Sequence, residues 1–320
     1  MKKSTQRESN PFLFSDTNKR YHTYDYYLKH TFGEKVAKIT LDAGFSCPNR
    51  DGRCGTGGCI YCSGRGSGDF TQEATLTIKE QFARQVEKIQ GKWKAKKYIA
   101  YFQAFTNTYA PLPHLRTLYE EALECPGVVG INIATRADCL PDDVIVYLQE
   151  LSARTVVTVE LGLQSVHDDT ARLINRGHTF ETFLDAYYRL RKNAPSVRIG
   201  VHLIFGLIGE NDEKMMESAQ RVSDLAPDEV KFHLLYVVEK TKMADIYRKG
   251  GYFPMEMSHY VELIVKALEQ LPAQVVVGRL TGDGAGNELI APLWSRKKGI
   301  ILNEIDKKFY SENTWQGKKF

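Results

Sequence analysis

Val36-Ala-Lys-Ile-Thr-Leu-Asp-Ala-Gly-Phe-Ser-Cys47-Pro-Asn-Arg-Asp-Gly-Arg-Cys54-Gly-Thr-Gly-Gly-Cys59-Ile-Tyr-Cys62 holds the decisive transition in this chain. Residues 36–42 alternate apolar and polar side chains, as a strand does. They deliver the backbone into a glycine-rich loop that carries four of the six cysteines. The Cys59–Cys62 spacing lets two sulfurs reach one ion or cluster, and the glycines allow turns that a side chain would block. A metal centre is therefore the leading reading, ahead of a disulfide. A structural zinc would use Cys47, Cys54, Cys59 and Cys62 in a closed tetrahedron. An iron–sulfur cluster held by four thiolates would carry electrons, whereas one held by three would leave an iron open. Spacing alone leaves these alternatives standing.

With 320 residues, 42% of them hydrophobic and 26% charged, the chain has the make-up of a folded globular protein with one large core. No run has the apolar length of a membrane span, and Met1–Asn10 lacks the apolar centre of a signal peptide. No membrane partner is expected. A cytoplasmic, reducing location is expected instead, where clustered cysteines favour metal. Cys125 and Cys139 stand alone and read as packed thiols. The net charge of +4 permits a nucleic-acid partner without requiring one. Basic residues clump at Lys19-Arg20, Lys92 with Lys94, Lys96 and Lys97, Arg189 with Arg191 and Lys192, Arg296-Lys297-Lys298 and Lys307-Lys308. Taken singly, each reads as a solvated face.

Downstream of the loop, strand and helix patterns alternate. Strands are expected over 36–42, 98–103, 128–134, 156–161, 197–205 and 230–238, and helices over 71–88, 112–123, 141–151, 180–191 and 212–225. Six such units predict a parallel α/β sheet in the form of an incomplete (β/α)6 barrel, with a flat doubly wound sheet as the alternative. The expected organisation is an N-terminal extension (1–34) with little regular structure, the barrel (35–250), and a C-terminal extension (251–320). That last part should hold a helix (257–271), a strand (275–280), a turn-rich loop (281–286) and a segment (294–305) packed back on the body.

Ligands of such a barrel bind at the carboxyl ends of its strands, and the unusual residues fall there. Gln103, Thr106, Asn107 and Thr108 follow the second strand, and Thr135, Arg136 and Asp138 the third. Glu160, Gln164 and Ser165 close the fourth, and His202, Gly206, Gly209 and Glu210 the fifth. Some have plainer uses. Residues 106–108 suit a helix cap, and His202 between Val201 and Leu203 suits an interior histidine. Glu160 in an apolar strand costs several kcal/mol unless paired, so it is expected to meet a cation or a donor-rich ligand. Asp138, Glu160, Asp168 and His202 are acid–base candidates by location alone, and no catalytic residue is assigned.

Beyond the cysteines, the chain carries Phe102-Gln-Ala-Phe-Thr-Asn-Thr, Glu160-Leu-Gly-Leu-Gln-Ser165, Arg176-Gly-His-Thr179 and Arg279-Leu-Thr-Gly-Asp-Gly284. With Ile39 to Gly52 and Gly57 to Cys62, these resemble the radical S-adenosylmethionine superfamily, in its YhcC/YtqA-like branch. That branch is similar to the radical domain of the Elongator catalytic subunit. The resemblance implies a 4Fe-4S cluster on Cys47, Cys59 and Cys62, with S-adenosyl-L-methionine on the fourth iron. It places Tyr61 against the adenine, Thr106 and Asn107 by the methionine amino group, and Gln164 and Arg176 by ribose and carboxylate. Gly206 would admit the adenine, and Gln103, Glu160 and His202 join the expected cofactor-binding set. Eleven residues separate Cys47 from Cys59, far more than the superfamily's commonest spacing, and Cys54 has no counterpart role. The resemblance further implies reductive cleavage of the sulfonium to a 5′-deoxyadenosyl radical. An external electron donor such as flavodoxin or ferredoxin and a tRNA substrate, with wobble uridine favoured, are expected. A small-molecule substrate and a non-catalytic, metal-bearing RNA-binding protein are the alternatives.

Overall fold

The computed structural model describes residues 10–66, 71–72, 74–91, 94–282 and 286–320. Glu73 of the helix expected over 71–88, Lys92 of one basic clump, residues 1–9 of the N-terminal extension and residues 283–285 of the turn-rich loop lie outside them.

Seven parallel strands form one sheet in the order β1 (Val36–Leu41), β2 (Lys97–Phe102), β3 (Val128–Thr135), β4 (Val156–Gln164), β5 (Arg198–Phe205), β6 (Glu229–Leu234) and β8 (Val276–Arg279). Strand after strand pairs with the next in sequence, which a sheet wound in one direction does. One cavity is lined from the loop after β1 round to Arg279 on β8, so the sheet curls. This is the expected incomplete barrel with a seventh strand, supplied by the segment read from sequence as a C-terminal extension. Its helices cover the outer face: α2 (Ile78–Gln90), α3 (Leu112–Leu123), α4 (Asp142–Ser152), α6 (Phe180–Asn193) and α7 (Asp212–Leu225). Their apolar faces and the outward side of the strands share one core, with Tyr119, Tyr147, Phe183 and Tyr187 at most 2% exposed.

Local chemistry sets several boundaries that periodicity missed. The first of these helices begins at Ile78, not Thr71, because Thr77 and Glu80 form a reciprocal capping box. The sixth strand stops at Leu234. Val237–Val238 (β7) then pairs antiparallel with Leu289–Ala291 (β9) in a separate ribbon. Two short helices were not expected. They are α5 (Asp168–Leu173) and α8 (Lys242–Arg248), the second capped by the Thr241 side chain, which accepts from Ala244 N.

The N-terminal segment also has more regular structure than expected. Thr23 caps a helix, α1 (Tyr24–Phe32), by accepting from Tyr26 N, and Gly33 ends it in a left-handed turn. This helix packs on both β1 and β8, the two edges of the open sheet. Val277 N donates to His22 O at 2.8 Å, and Thr23 bridges Val277 in parallel. The unclosed side of the barrel is thereby covered, and the Val277 amide at its β8 edge is partnered.

At the other end of the chain, α9 (Met257–Glu269) and α10 (Lys298–Ser311) pack together, and Ile301 and Ile305 are fully buried as the return onto the body required. Beyond α10, Gln316 locks the seam. Its Oε1 accepts from His22 N at 2.8 Å, and its Nε2 donates to Pro272 O and Val275 O, both at 2.8 Å. Gln316→Leu strands these buried partners and is expected to cost on the order of 3 kcal/mol in urea unfolding. An unchanged midpoint would show that the seam is held by other contacts.

Candidate active site

The cysteine loop folds back on itself. Arg50 N and Asp51 N both donate to Cys47 O, Cys54 N donates to Pro48 O, and Asp51 pairs with Thr56 across a tight turn. Gly58 N then donates to Asn49 O at 2.8 Å. The long insertion between Cys47 and Cys59 is therefore a closed excursion, and the chain re-enters beside where it left. Asn49 is fully buried at its base, donating from Nδ2 to Asn175 O. A Cβ at position 55 would lie 2.1 Å from Asn49 Oδ1, which is why glycine stands there. Asn175 donates in return to Gly58 O at 2.8 Å, and Ile60 N donates to Ile174 O at 3.0 Å.

This fold-back sorts the cysteines. Cys47, Cys59 and Cys62 all line one cavity of about 220 Å³ at the carboxyl ends of the strands. Cys54 is exposed and lines a different groove with Arg53, Tyr109 and Arg189. All four thiols are free. Asn49 Nδ2 lies 3.8 Å from Cys59 Sγ, as a donor. Burial pushes the Cys62 thiol up to about 11, with Arg50 opposing, and raises Cys59, with Arg136 opposing. Among the described residues, no three His, Cys, Asp or Glu side chains converge as ligands of a single metal ion would. The three thiols frame a space rather than a point.

The cavity continues down into the barrel, where the inward positions of the strands are polar. Glu160 on β4 is 1% exposed. It is ion-paired with Lys231 on β6, lies 3.6 Å from Lys38 Nζ on β1 and 3.0 Å from His202 Nε2 on β5, and accepts from Asn132 Nδ2 on β3 at 2.8 Å. Burial would raise its carboxyl, but Lys231, Lys38 and His202 together hold it well below the usual carboxylate range. Lys231 is pulled down to about 8 by burial, against the attraction of Glu160. Burial also takes His202 down to about 4, aided by Lys231, so its ring is neutral.

A family model described as the Radical SAM superfamily matches residues 51–222, and one described as the Radical_SAM C-terminal domain matches residues 227–311. The first spans more than half of the chain. The chain belongs to the radical SAM superfamily. Protein YtqA of Bacillus subtilis is 47% identical to it over 313 residues, 98% of this chain and 97% of that one. The tRNA uridine(34) acetyltransferase of Methanocaldococcus infernus is 29% identical over 158 residues, 48% of this chain and 29% of that protein. A solved structure of Elp3 from the same archaeon, lacking its N-terminus, aligns with a TM-score of 0.67 at 17% identity. It covers 88% of this chain and 64% of that one, a likeness of fold.

Within this radical SAM fold, Tyr61, Gln103, Thr106, Glu160, Gln164, Arg176 and His202 all border the cavity. Gln164 reaches it because β4 bulges between Gly162 and Gln164, leaving Gln164 at φ 63°. Two expected residues stand behind the wall. Asn107 is fully buried and donates from Nδ2 to Ala134 O at 2.8 Å, tying the loop after β2 to β3. Gly206 turns the chain after β5, and its carbonyl accepts from Tyr252. Arg176 is 1% exposed and spends Nε and Nη1 on the carbonyls of His178, Leu163 and Ser165, leaving Nη2 3.6 Å from Asp168. Of the acid candidates, Asp138 is held bidentately by Arg136 at 2.7 and 2.8 Å.

Sequence reasoning missed Lys38, Tyr101, Lys231, His233 and Arg279. The signal was present as polar residues at alternate positions of otherwise apolar strands, and alternate positions point to one face. Arg279 was missed because its strand was not assigned to the barrel.

Two outcomes follow for the interior. Lys231→Ala leaves the Glu160 carboxylate short of its main cation and is expected to cost about 3–5 kcal/mol in urea unfolding, with Glu160→Gln/Lys231→Met costing less than the sum of the single changes. Additive losses would contradict a direct pair. Acid should also destabilise the fold. His202 and His22 are each lowered to about 4 by burial, while unfolded imidazoles protonate near about 6.5. Between those values the unfolded state binds more protons, so stability falls as pH drops from 7 to 5, on the order of 1 kcal/mol per ring. A urea midpoint that holds or rises at pH 5 would refute the neutral assignment.

Proposed function

We propose that this chain is a radical SAM enzyme that uses a 4Fe-4S cluster on Cys47, Cys59 and Cys62, with S-adenosylmethionine, to modify tRNA. The observation that carries the reading is the separation of the cysteines, three on one cavity wall and Cys54 in another groove. The donor set suits such a group: free thiols, an amide donor from Asn49 to Cys59, and the Arg50 and Arg136 guanidinium groups beside them. When bound, the cluster and cofactor supply one-electron cleavage of the sulfonium to a 5′-deoxyadenosyl radical, and the hard chemistry is theirs.

The chain's own residues orient and shield. Arg50 donates to Ser63 O at 2.5 Å and lies 3.4 Å from Cys62 O, fixing the backbone around the last cysteine. Tyr61, Gln103, Thr106 and Gln164 offer polar and aromatic surface for the cofactor around the mouth. The cysteine fold-back and the covered seam limit access of water to the interior, where charged groups interact most strongly.

Support for tRNA, and for wobble uridine in particular, is the likeness to the archaeal tRNA uridine(34) acetyltransferase over 158 residues. A small-molecule substrate is the second reading, favoured by the surface. Lys19 pairs with Asp306, Lys97 with Glu34, Arg189 with Asp142, Arg191 with Asp228, and Lys307 with Glu304. Five of the basic residues that suggested nucleic acid are thus neutralised locally.

Anaerobic reconstitution should give a protein that converts S-adenosylmethionine to 5′-deoxyadenosine. Cys47→Ser, Cys59→Ser and Cys62→Ser should each lose the iron–sulfur absorbance, and Cys54→Ser should keep it. Loss of absorbance in Cys54→Ser, or zinc in place of iron, would end the three-thiol assignment. An unchanged nucleoside profile in tRNA from a deletion strain would remove tRNA as the substrate.

A further inference from the structure

Partnering inside the barrel is uneven among the described residues. Lys38, Lys231 and Arg279 stand there with Glu160 and Glu229, and both Glu229 side-chain oxygens are buried without a hydrogen-bond partner. Burial keeps the His202 and His233 rings neutral, so they add no charge. Lys38 and Lys231 are committed to Glu160, and Lys231 also lies 3.8 Å from Glu229. Glu229 is fully buried, in space that glycine at position 278 leaves for it: a Cβ there would lie 1.9 Å from Glu229 Oε1. The Arg279 side chain makes no hydrogen bond or ion pair among the described residues. It is half-buried, and a guanidinium so placed is costly unless an anion meets it.

A second unsatisfied group shares its position. His233 Nε2 is buried without a hydrogen-bond partner, its ring 5.4 Å from that of His202. Arg279 and His233 both line the main cavity. Arg279 and Lys231 also border a second cavity of about 410 Å³ between α1, β1 and β8. The first of these cavities also carries Cys47, Cys59 and Cys62. The charge of Arg279 acts on Lys38, Tyr101, His202, Lys231 and His233, whereas the guanidinium groups acting on Cys59 and Cys62 are Arg136 and Arg50.

We propose that Arg279 and His233 form an anion-binding subsite in the barrel for a carboxylate or phosphate of the molecule on which the enzyme acts. The inference rests on the reading of the cavity as a reaction chamber and adds the charge of its substrate. An anion there gives Arg279 the counter-charge it lacks among the described residues. The guanidinium fork suits a bidentate oxyanion, and the His233 ring supplies one further N–H.

The test uses the anaerobically reconstituted holoenzyme and inorganic phosphate, with chloride at equal ionic strength as the reference. Phosphate should raise the melting temperature saturably, and Arg279→Gln should weaken that binding about tenfold, the loss of a charge-assisted bond. In chloride alone Arg279→Gln should melt no lower than the parent, because it removes an unpaired cation. Arg279→Lys should keep part of the phosphate response, and Arg248→Gln, altering an exposed partner of Glu239, should keep all of it. No saturable shift, an equal shift in Arg279→Gln, or a variant less stable in chloride would overturn the proposal in favour of a structural arginine. The other source of a carboxylate is S-adenosylmethionine itself. Competition between phosphate and S-adenosylmethionine in equilibrium dialysis would overturn the substrate assignment, and independent binding supports it. Formation of 5′-deoxyadenosine by the parent enzyme is scored separately. Its absence would refute the proposed function while leaving the anion result intact.

Discussion

Glu160 gathers the barrel around itself. Its partners come from β1, β3, β5 and β6, and Lys231 reaches towards the Tyr101 hydroxyl on β2 at 3.4 Å. One buried carboxylate therefore ties six strands through charge and hydrogen bonds, in a place where hydrocarbon packing would otherwise fill the lumen. A polar interior of this kind is costly unless every member is partnered. Where partnering is complete, as at Glu160, the network sets the register of strands across the sheet. Partnering is incomplete among the described residues at Glu229 and His233, whose buried side-chain atoms lack hydrogen-bond partners, and at Arg279, and the same low-dielectric surroundings make such a deficit costly.

The cysteine loop obeys a different constraint, that of chain geometry. An excursion as long as the one between Cys47 and Cys59 could send its ends apart, yet the Gly58–Asn49 bond and the Asn49–Asn175 contacts return it to its origin. A turn made this tight leaves no room for a side chain at Gly55. The result is that Cys54, carried at the tip, lines a separate groove, its Sγ 3.6 Å from Nη2 of Arg136, which borders the cavity of the other three. The first strand, the loop and the α5–α6 connection thus form one rigid rim over the polar lumen.

The open side of the curled sheet is the remaining weakness, since an unpaired edge exposes amides and invites foreign strands. Residues 22–32 and Gln316 cover it from the two ends of the chain. Neither end resembles a barrel element in sequence, and each buries polar groups that have partners only once the other end has arrived.

Much of this was legible beforehand. The alternation of Val156 to Leu161 and the helical spacing of Asp212 to Leu225 report faces, and a face that must be buried betrays its element wherever it occurs. The cysteine spacing, the superfamily motifs and the oddity of a carboxylate at Glu160 were equally visible, because they are properties of residue type and order. The sequence by itself thus determined the parallel barrel, the family and the wall that carries the thiols. Only the tertiary structure decided that Cys54 lines a separate groove, that Lys231 is the principal cation for Glu160, that β8 completes the sheet and that the Arg279 side chain has no ion pair among the described residues. Those facts depend on which distant segments meet, and pairing across 71 residues, as between Glu160 and Lys231, leaves no trace in local periodicity.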